Sequence, residues 1–250
     1  MPKYRILLTG SSGAIGKAVA PALIAAGHHV RGFDMTKSPS IEDMHIGNLT
    51  DMQAIDKAMD SMDTLIHLGA ESNDCDFMTR LVPANIIGVY NVMDSAKRHN
   101  LRRIILASSM QVYNGLWKKC KPPFKIEYET VPSNHYGVTK IFAESMGRMY
   151  SYRFGLSVIA VRIGWFTRNP KELKEMTDNP GAQDFFFSHD DAARFYVKAV
   201  EAEKIDFCIL PAASKWKSRE VFDLEPAKQM IGYEPVDTFP EGLPFKLEKT

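Results

Sequence analysis

A chain of 250 residues, 45% hydrophobic and 24% charged, has ordinary globular composition and can bury one full core, or one core with a small appendage. Its 31 Lys and Arg nearly cancel its 30 Asp and Glu, leaving a formal net charge of +1. No global field then recruits nucleic acid or an anionic membrane, and a small molecule is the expected partner. No apolar run approaches the roughly 18–20 residues that span a bilayer, no signal-peptide pattern opens the chain, and Cys75, Cys120 and Cys208 lack metal-site or disulfide-scaffold spacing. The expectation is a cytoplasmic protein without a metal.

In chain order, an apolar run predicts a first strand over Tyr4–Thr9. It leads directly into Gly10-Ser11-Ser12-Gly13-Ala14-Ile15-Gly16 and a helix over Ala14–Ala26, which Pro21 should kink. Glycines at this spacing permit a tight turn, a close approach of backbone to a pyrophosphate, and close helix-to-sheet packing, with the phosphates at the helix N-terminus. Gly10, Ser12, Gly13, Ala14, Ile15 and Gly16 are therefore candidate cofactor contacts. A second strand, His29–Phe33, ends at Asp34, the acidic position that hydrogen-bonds an adenosine ribose and repels a 2′-phosphate, which favours NAD over NADP. Lys37 stands close by and reads as a solvated turn residue.

A short strand at His45–Gly47 places Asn48 and Leu49 toward the adenine. Next come a helix at Met52–Ala58 and a fourth strand at Thr64–Leu68, where Leu68, Gly69 and Ala70 pass the cofactor and His67 reads as packed core. A helix over Val82–His99, a fifth strand at Arg103–Ala107, a helix over Tyr136–Phe154 and a sixth strand at Ser157–Val161 follow. Ile163 lies just beyond as a further cofactor contact. A helix at Asp190–Glu201, a strand at Phe207–Leu210 and a helix at Pro226–Ile231 close the chain. Tyr113–Asn134 and Thr167–Gln183 break the rhythm and read as long loops lining a site. The alternation predicts an α/β fold, a doubly wound parallel sheet of the Rossmann type, with a small C-terminal substrate-binding part. The division expected is an NAD-binding domain over 1–163 carrying the catalytic residues, and a portion over 164–250 that does not fold independently.

Tyr136 and Lys140 stand four residues apart, on one face of a helix. A free tyrosine, with a pKa near 10, is a poor base at neutral pH, and a neighbouring ammonium together with an oxidised nicotinamide favours its phenolate. Ser108-Ser109, at the end of the fifth strand, offers a hydroxyl to hold the reacting oxygen. Glycine turn and Tyr/Lys pair in this order point to nicotinamide redox chemistry on a carbinol.

Thr9-Gly10-x-x-Gly13-x-x-Gly16, Ser108-Ser109-Met110-Gln111-Val112-Tyr113, Tyr136-Gly137-Val138-Thr139-Lys140 and the late Ile231-Gly232-Tyr233-Glu234-Pro235 resemble the extended short-chain dehydrogenase/reductases of the NAD-dependent epimerase/dehydratase group. That resemblance selects Ser109 as the catalytic serine beside Tyr136 and Lys140, and gives Asn85 a role in the cofactor half. It also implies a homodimer or higher homo-oligomer built on the helices Val82–His99 and Tyr136–Phe154, where Ile87, Val89, Tyr90, Phe142, Met146 and Met149 are surplus apolar residues. Compact length, His67-Leu68-Gly69 followed by Ser72, Arg162-Ile163-Gly164 and Phe187-Ser188-His189-Asp190-Asp191 look most like uronate dehydrogenases, which oxidise C1 of a hexuronic acid to a lactone.

By that likeness Ser72 and Ser109 hold sugar hydroxyls, with Met110, Gln111 and Trp165 beside them. The chain departs from it at Ser109-Met110-Gln111, at Trp165, and within Gly181-Ala182-Gln183-Asp184, where the carboxylate-binding arginine is missing. Arg168 is the expected replacement; Lys118, Lys119 and Lys121 read as a solvated face. Three functions stay open: a dehydrogenase of a sugar, sugar acid or sugar phosphate that releases NADH, an epimerase or dehydratase of a nucleotide-sugar, and a non-catalytic NAD-sensing regulator. The intact Ser109/Tyr136/Lys140 set argues against the third.

Overall fold

The computed structural model describes residues 3–246. Its elements are β1 (Arg5–Thr9), α1 (Ala14–Ala25), β2 (His29–Asp34), β3 (Asp43–Ile46), α2 (Met52–Met59), β4 (Thr64–His67), a wide-turned π-type helix (Phe77–Ile87) continuing into α3 (Gly88–Arg98), and β5 (Arg103–Ser109). A 3-10 helix (Met110–Lys118) leads to α4 (His135–Phe154), β6 (Ser157–Ile163), β7 (Trp165–Phe166), α5 (Pro170–Asp178), a second 3-10 helix (Pro180–Phe185), β8 (Phe186–Phe187), α6 (His189–Glu201), β9 (Phe207–Ala212) and α7 (Glu225–Ile231).

Seven parallel strands form one sheet in the order β3-β2-β1-β4-β5-β6-β9, and β7 pairs with β8 in a small parallel ribbon. Period-two alternation sorts the apolar side chains of each strand between two cores. Ile6 and Leu8 of β1 and Ile105 of β5 enter the core beneath α1 and α6, whereas Leu7, Ile104 and Leu106 enter the core beneath α2, α3 and α4. The sheet is thus covered on both faces. Because every strand is parallel, all their C-terminal ends lie along one edge, and the order of connection reverses at β1/β4, where a crevice opens.

The structure lengthens several predicted elements and replaces one loop. β5 continues to Ser109, β6 to Ile163 and β9, through Pro211, to Ala212, because strand pairing persists to those residues, Ser109 opposite Ile163 and Ile163 opposite Ala212. The helix expected from Val82 begins at Phe77, because Asp76 caps it through the Thr79 amide at 2.8 Å. Pro83, which has no N–H to donate, sits in its wide-turned part. Within the expected loop Thr167–Gln183 lies α5. Asn169 caps the Glu172 amide at 3.0 Å, Pro170 occupies the first turn, and Glu172 reaches back to the Arg168 amide at 2.8 Å. This is the chemistry of a capping box one residue displaced. Residues 164–246 supply α6 and β9 to the main sheet as well as the α5 wall, so the C-terminal third is woven into the same layers.

Candidate active site

A single cavity of about 900 Å³ runs along the C-terminal edge of the sheet, from the β1–α1 turn to α5. Its first end is built by glycine. Gly10 has φ +70°, and a Cβ there would lie 2.6 Å from the Gly69 nitrogen; a Cβ on Gly16 would lie 2.4 Å from the Gly10 oxygen. Neither neighbour can move aside, since both are backbone atoms. Gly13 caps α1 without any side-chain hydrogen bond, and Gly13, Ala14 and Ile15 line the cavity, so the helix presents its first turn of N–H groups there.

Asp34, at the end of β2, accepts the Ser12 amide at 3.0 Å and lines the cavity with Asn48, Leu49, Leu68, Gly69, Ala70 and Ile163. Ser12 itself stands outside the lining, and its hydroxyl donates to the Thr36 carbonyl at 2.6 Å. Asn85 is also buried behind the wall. Its amide exchanges bonds with the Glu71 backbone at 2.8 and 3.0 Å and donates to Thr139 Oγ1 at 3.0 Å, so it ties the loop after β4 to α4. His67 pairs with Thr9 Oγ1 at 2.7 Å, and burial, with the Lys140 charge, pushes its pKa down to about 3; it is a packed core residue.

The middle of the cavity carries Ser108, Ser109, Tyr136 and Lys140. Ser108 and Ser109 are neighbours on β5 and point to opposite faces. Ser108 donates to Glu144 at 2.6 Å, inside a buried cluster in which Arg162 grips both Glu144 oxygens at 2.8 Å and contacts Tyr113. Ser109 is the serine that hydrogen-bonds Tyr136. Burial pushes the Tyr136 phenol up to about 12, against the Ser109 hydrogen bond and the charge of Arg168. Lys140, buried with one hydrogen bond to the Ala107 carbonyl at 3.2 Å, is pushed down to about 8 by desolvation. Lys140 Nζ stands 5.3 Å from the Tyr136 ring centroid, over the face of the ring, and the charge of Arg168 also acts to lower the phenol's pKa.

The far end joins residues from distant loops. Arg168 donates to Ser72 Oγ at 2.8 Å and to Asn73 at 3.1 Å, and its Nε and Nη2 grip Glu172, with Nε at 2.6 Å. Met110, Gln111 and Trp165 line this part of the cavity. Gln111 also accepts from Asn134, the cap of α4, at 2.8 Å. Gln183 and Asp184, where the missing arginine was sought, bind the Lys217 side chain and backbone, each at 2.8 Å. Lys37, Lys118, Lys119 and Lys121 do not line the cavity. Sequence reasoning missed Glu71, Asn73, Arg80, Glu172 and Glu175 in the lining; only Glu172 had a local signal, the Asn169-Pro170-x-Glu172 helix start.

Comparison with known proteins decides the lineage. The NAD dependent epimerase/dehydratase family matches residues 6–166. The chain belongs to this family. Uronate dehydrogenase of Pseudomonas syringae pv. tomato is 27% identical over 87% of this chain and 77% of its own length. L-Arabinose 1-dehydrogenase (NAD(P)(+)) of Haloferax volcanii is 27% identical over 93% of this chain and 96% of its own. A variant of uronate dehydrogenase from Agrobacterium tumefaciens, complexed with NAD, superposes with a TM-score of 0.76 at 25% identity, covering 94% of this chain and 86% of that one.

The family's dinucleotide fits the residues present. The Gly10/Gly16 turn leaves space that a Cβ would fill, the first turn of α1 is uncapped by side chains, and the buried Lys140 ammonium lines the cavity with a single protein hydrogen bond.

Lys140 also makes a prediction about stability. Its pKa is about 8 in the fold against 10.5 for a free lysine. Below pH 8 it is charged in both states, and folding carries the full desolvation cost, about 3 kcal/mol. Between pH 8 and 10.5 the folded form loses its proton first, so that cost fades as pH rises. Lys140→Met should therefore unfold at higher urea than wild type at pH 7, with the gap shrinking toward pH 10, while turnover is lost. A Met variant no more stable than wild type at pH 7 contradicts this reading.

Proposed function

We propose that the protein is an NAD-dependent dehydrogenase that oxidises a carbinol carbon of a sugar or sugar acid, C1 to lactone, with Tyr136 as the base. The observation that carries this reading is the position of Ser109, Tyr136 and Lys140 on the wall of one cavity whose other end is the glycine turn and Asp34. The glycine turn, Asp34 and Lys140 would hold NAD, whose oxidised nicotinamide would supply the hydride acceptor. Ser109 holds the reacting hydroxyl, and Tyr136, as phenolate, takes its O–H proton. Arg168 and Ser109 work against the burial that otherwise keeps the phenol neutral. Lys140 lies within the same buried wall, placed to hold the cofactor through its free donors. The full-length dehydrogenase relatives favour this reading over an epimerase of nucleotide-sugars.

Asp34 keeps acceptor capacity beyond the Ser12 amide and brings a negative charge to the end of β2, which favours NAD over NADP. The three cysteines are free thiols, and no helix among the described residues is long and apolar enough to cross a membrane; a reducing cytoplasm is the compartment proposed. A second copy of the chain is proposed to cover α3, the end of the π-type helix before it, and α4, where Tyr90, Ile87 and Met149 are exposed. Val89 belongs instead to the chain's own core, and Phe142 and Met146 pack against that core.

Tyr136→Phe keeps the ring and removes the ionisable oxygen. Turnover should fall about 100- to 10,000-fold, with NAD affinity changed by less than a small factor. More than a tenth of wild-type turnover, with chemistry limiting, counts against the base. Wild type should prefer NAD, and Asp34→Ala should narrow that preference in kcat/KM; equal efficiency with both cofactors in wild type removes the role of Asp34. Light scattering at micromolar concentration should give a dimer or larger, and a monomer mass rejects the proposed interface.

A further inference from the structure

Arg168 is the cation that sequence reasoning offers for an acidic substrate, and its surroundings argue for a different ligand. Its Nε/Nη2 edge is taken by Glu172, its Nη2 also by Asn73, and its Nη1 by Ser72. Neither edge of the guanidinium fork is left for the bidentate grip that a carboxylate or phosphate needs. Glu172 is not free to swing away. It is buried, and its second oxygen accepts the Arg168 amide at 2.8 Å as part of the start of α5.

The remaining charges at this end are Arg80, which is paired with Glu71, and Glu175, which Lys171 approaches to 4.0 Å. Each of the three carboxylates thus has a cationic partner, and Ser72, Asn73, Gln111 and Asn114 beside them are neutral. An anionic sugar brought within reach of Arg168 is brought equally within reach of Glu172, where like charges repel. A neutral sugar meets donors and acceptors suited to hydroxyl groups.

We infer that the substrate is an uncharged aldose, and that Glu172, by neutralising Arg168, is the residue that selects it against uronates and sugar phosphates. The inference rests on the reading of this cavity as a sugar-oxidising site.

Paired substrates that differ in charge test it: D-galactose against D-galacturonate, and D-glucose against D-glucuronate and D-glucose 6-phosphate, read by NADH absorbance. Calorimetric titration of the Tyr136→Phe protein with the same sugars in saturating NAD reads binding without turnover. The expected result is at least tenfold higher kcat/KM, and tighter binding, for the neutral member. Glu172→Gln should shift the acid-to-neutral ratio at least tenfold toward the acid by releasing Arg168. Glu175→Gln, which leaves the Arg168 bonds intact, should shift it the same way by twofold to threefold, and it serves as the test if the Glu172 variant fails to fold.

A wild-type enzyme that prefers the acid, or treats both alike, overturns the inference and leaves the dehydrogenase reading standing. Neutral preference that neither variant alters removes Glu172 as the selector. Oxidation of no sugar in either class overturns the proposed function and this inference with it.

Discussion

The close approach of two backbones at the point where the sheet order reverses is the constraint on which the site depends. Gly10 leaves β1 with a positive φ, and the chain after β4 passes so near that any side chain at Gly10 would strike Leu68 and Gly69. That contact can form only because β1 and β4 are parallel neighbours in register, Thr9 opposite His67. Their carboxyl ends then emerge together and diverge, one into α1 and the other into the Glu71–Ser72 loop. The crevice between them is a product of topology, and the glycines keep it open.

The wall that carries Ser109 and Tyr136 is held by charges buried beneath it. Glu144 and Arg162 lie on α4 and β6 and are both buried, so each would be costly alone. Their bidentate pairing, with Ser108 and Tyr113 filling the remaining positions, fixes the end of β5 against α4. Ser109 is thereby turned to the opposite face, and Tyr136 stands two helical turns before Glu144 on the same helix. The pair thus positions both Ser109 and Tyr136 from behind the cavity wall.

Much of this was legible in the sequence because it rests on short-range pattern. Strand-length apolar runs, the glycine turn, Asp34 at the end of a strand and the Tyr136/Lys140 spacing all express local rules, and the parallel sheet follows from their alternation. What escaped was of two kinds. α5 was hidden by its polar composition and by Pro170 and Gly181, although Asn169, Pro170 and Glu172 spell a helix start. The electrostatics of the far end were hidden because they are long-range: Ser72 and Arg168 meet across 96 positions, and no spacing rule connects them. The same holds for Tyr136, on which the charge of Arg168 acts from a distant loop.

Asn85 shows how these distant parts act as one. Its buried amide satisfies both the N–H and the carbonyl of Glu71 and also meets Thr139, whose hydroxyl donates to the Tyr136 carbonyl at 2.7 Å. The loop that carries Ser72 and Asn73 is therefore hinged to the turn of α4 that carries Tyr136 and Lys140. Ser72 and Asn73 in turn hold Arg168, and Arg168 holds Glu172. The chain of bonds returns to the phenol through the charge of Arg168, so that the far end of the cavity and the wall carrying Tyr136 share one hydrogen-bonded frame. A buried polar network of this kind is stable only while every member is satisfied. The charge selection proposed for Glu172 and the base role proposed for Tyr136 are for that reason coupled through the same guanidinium.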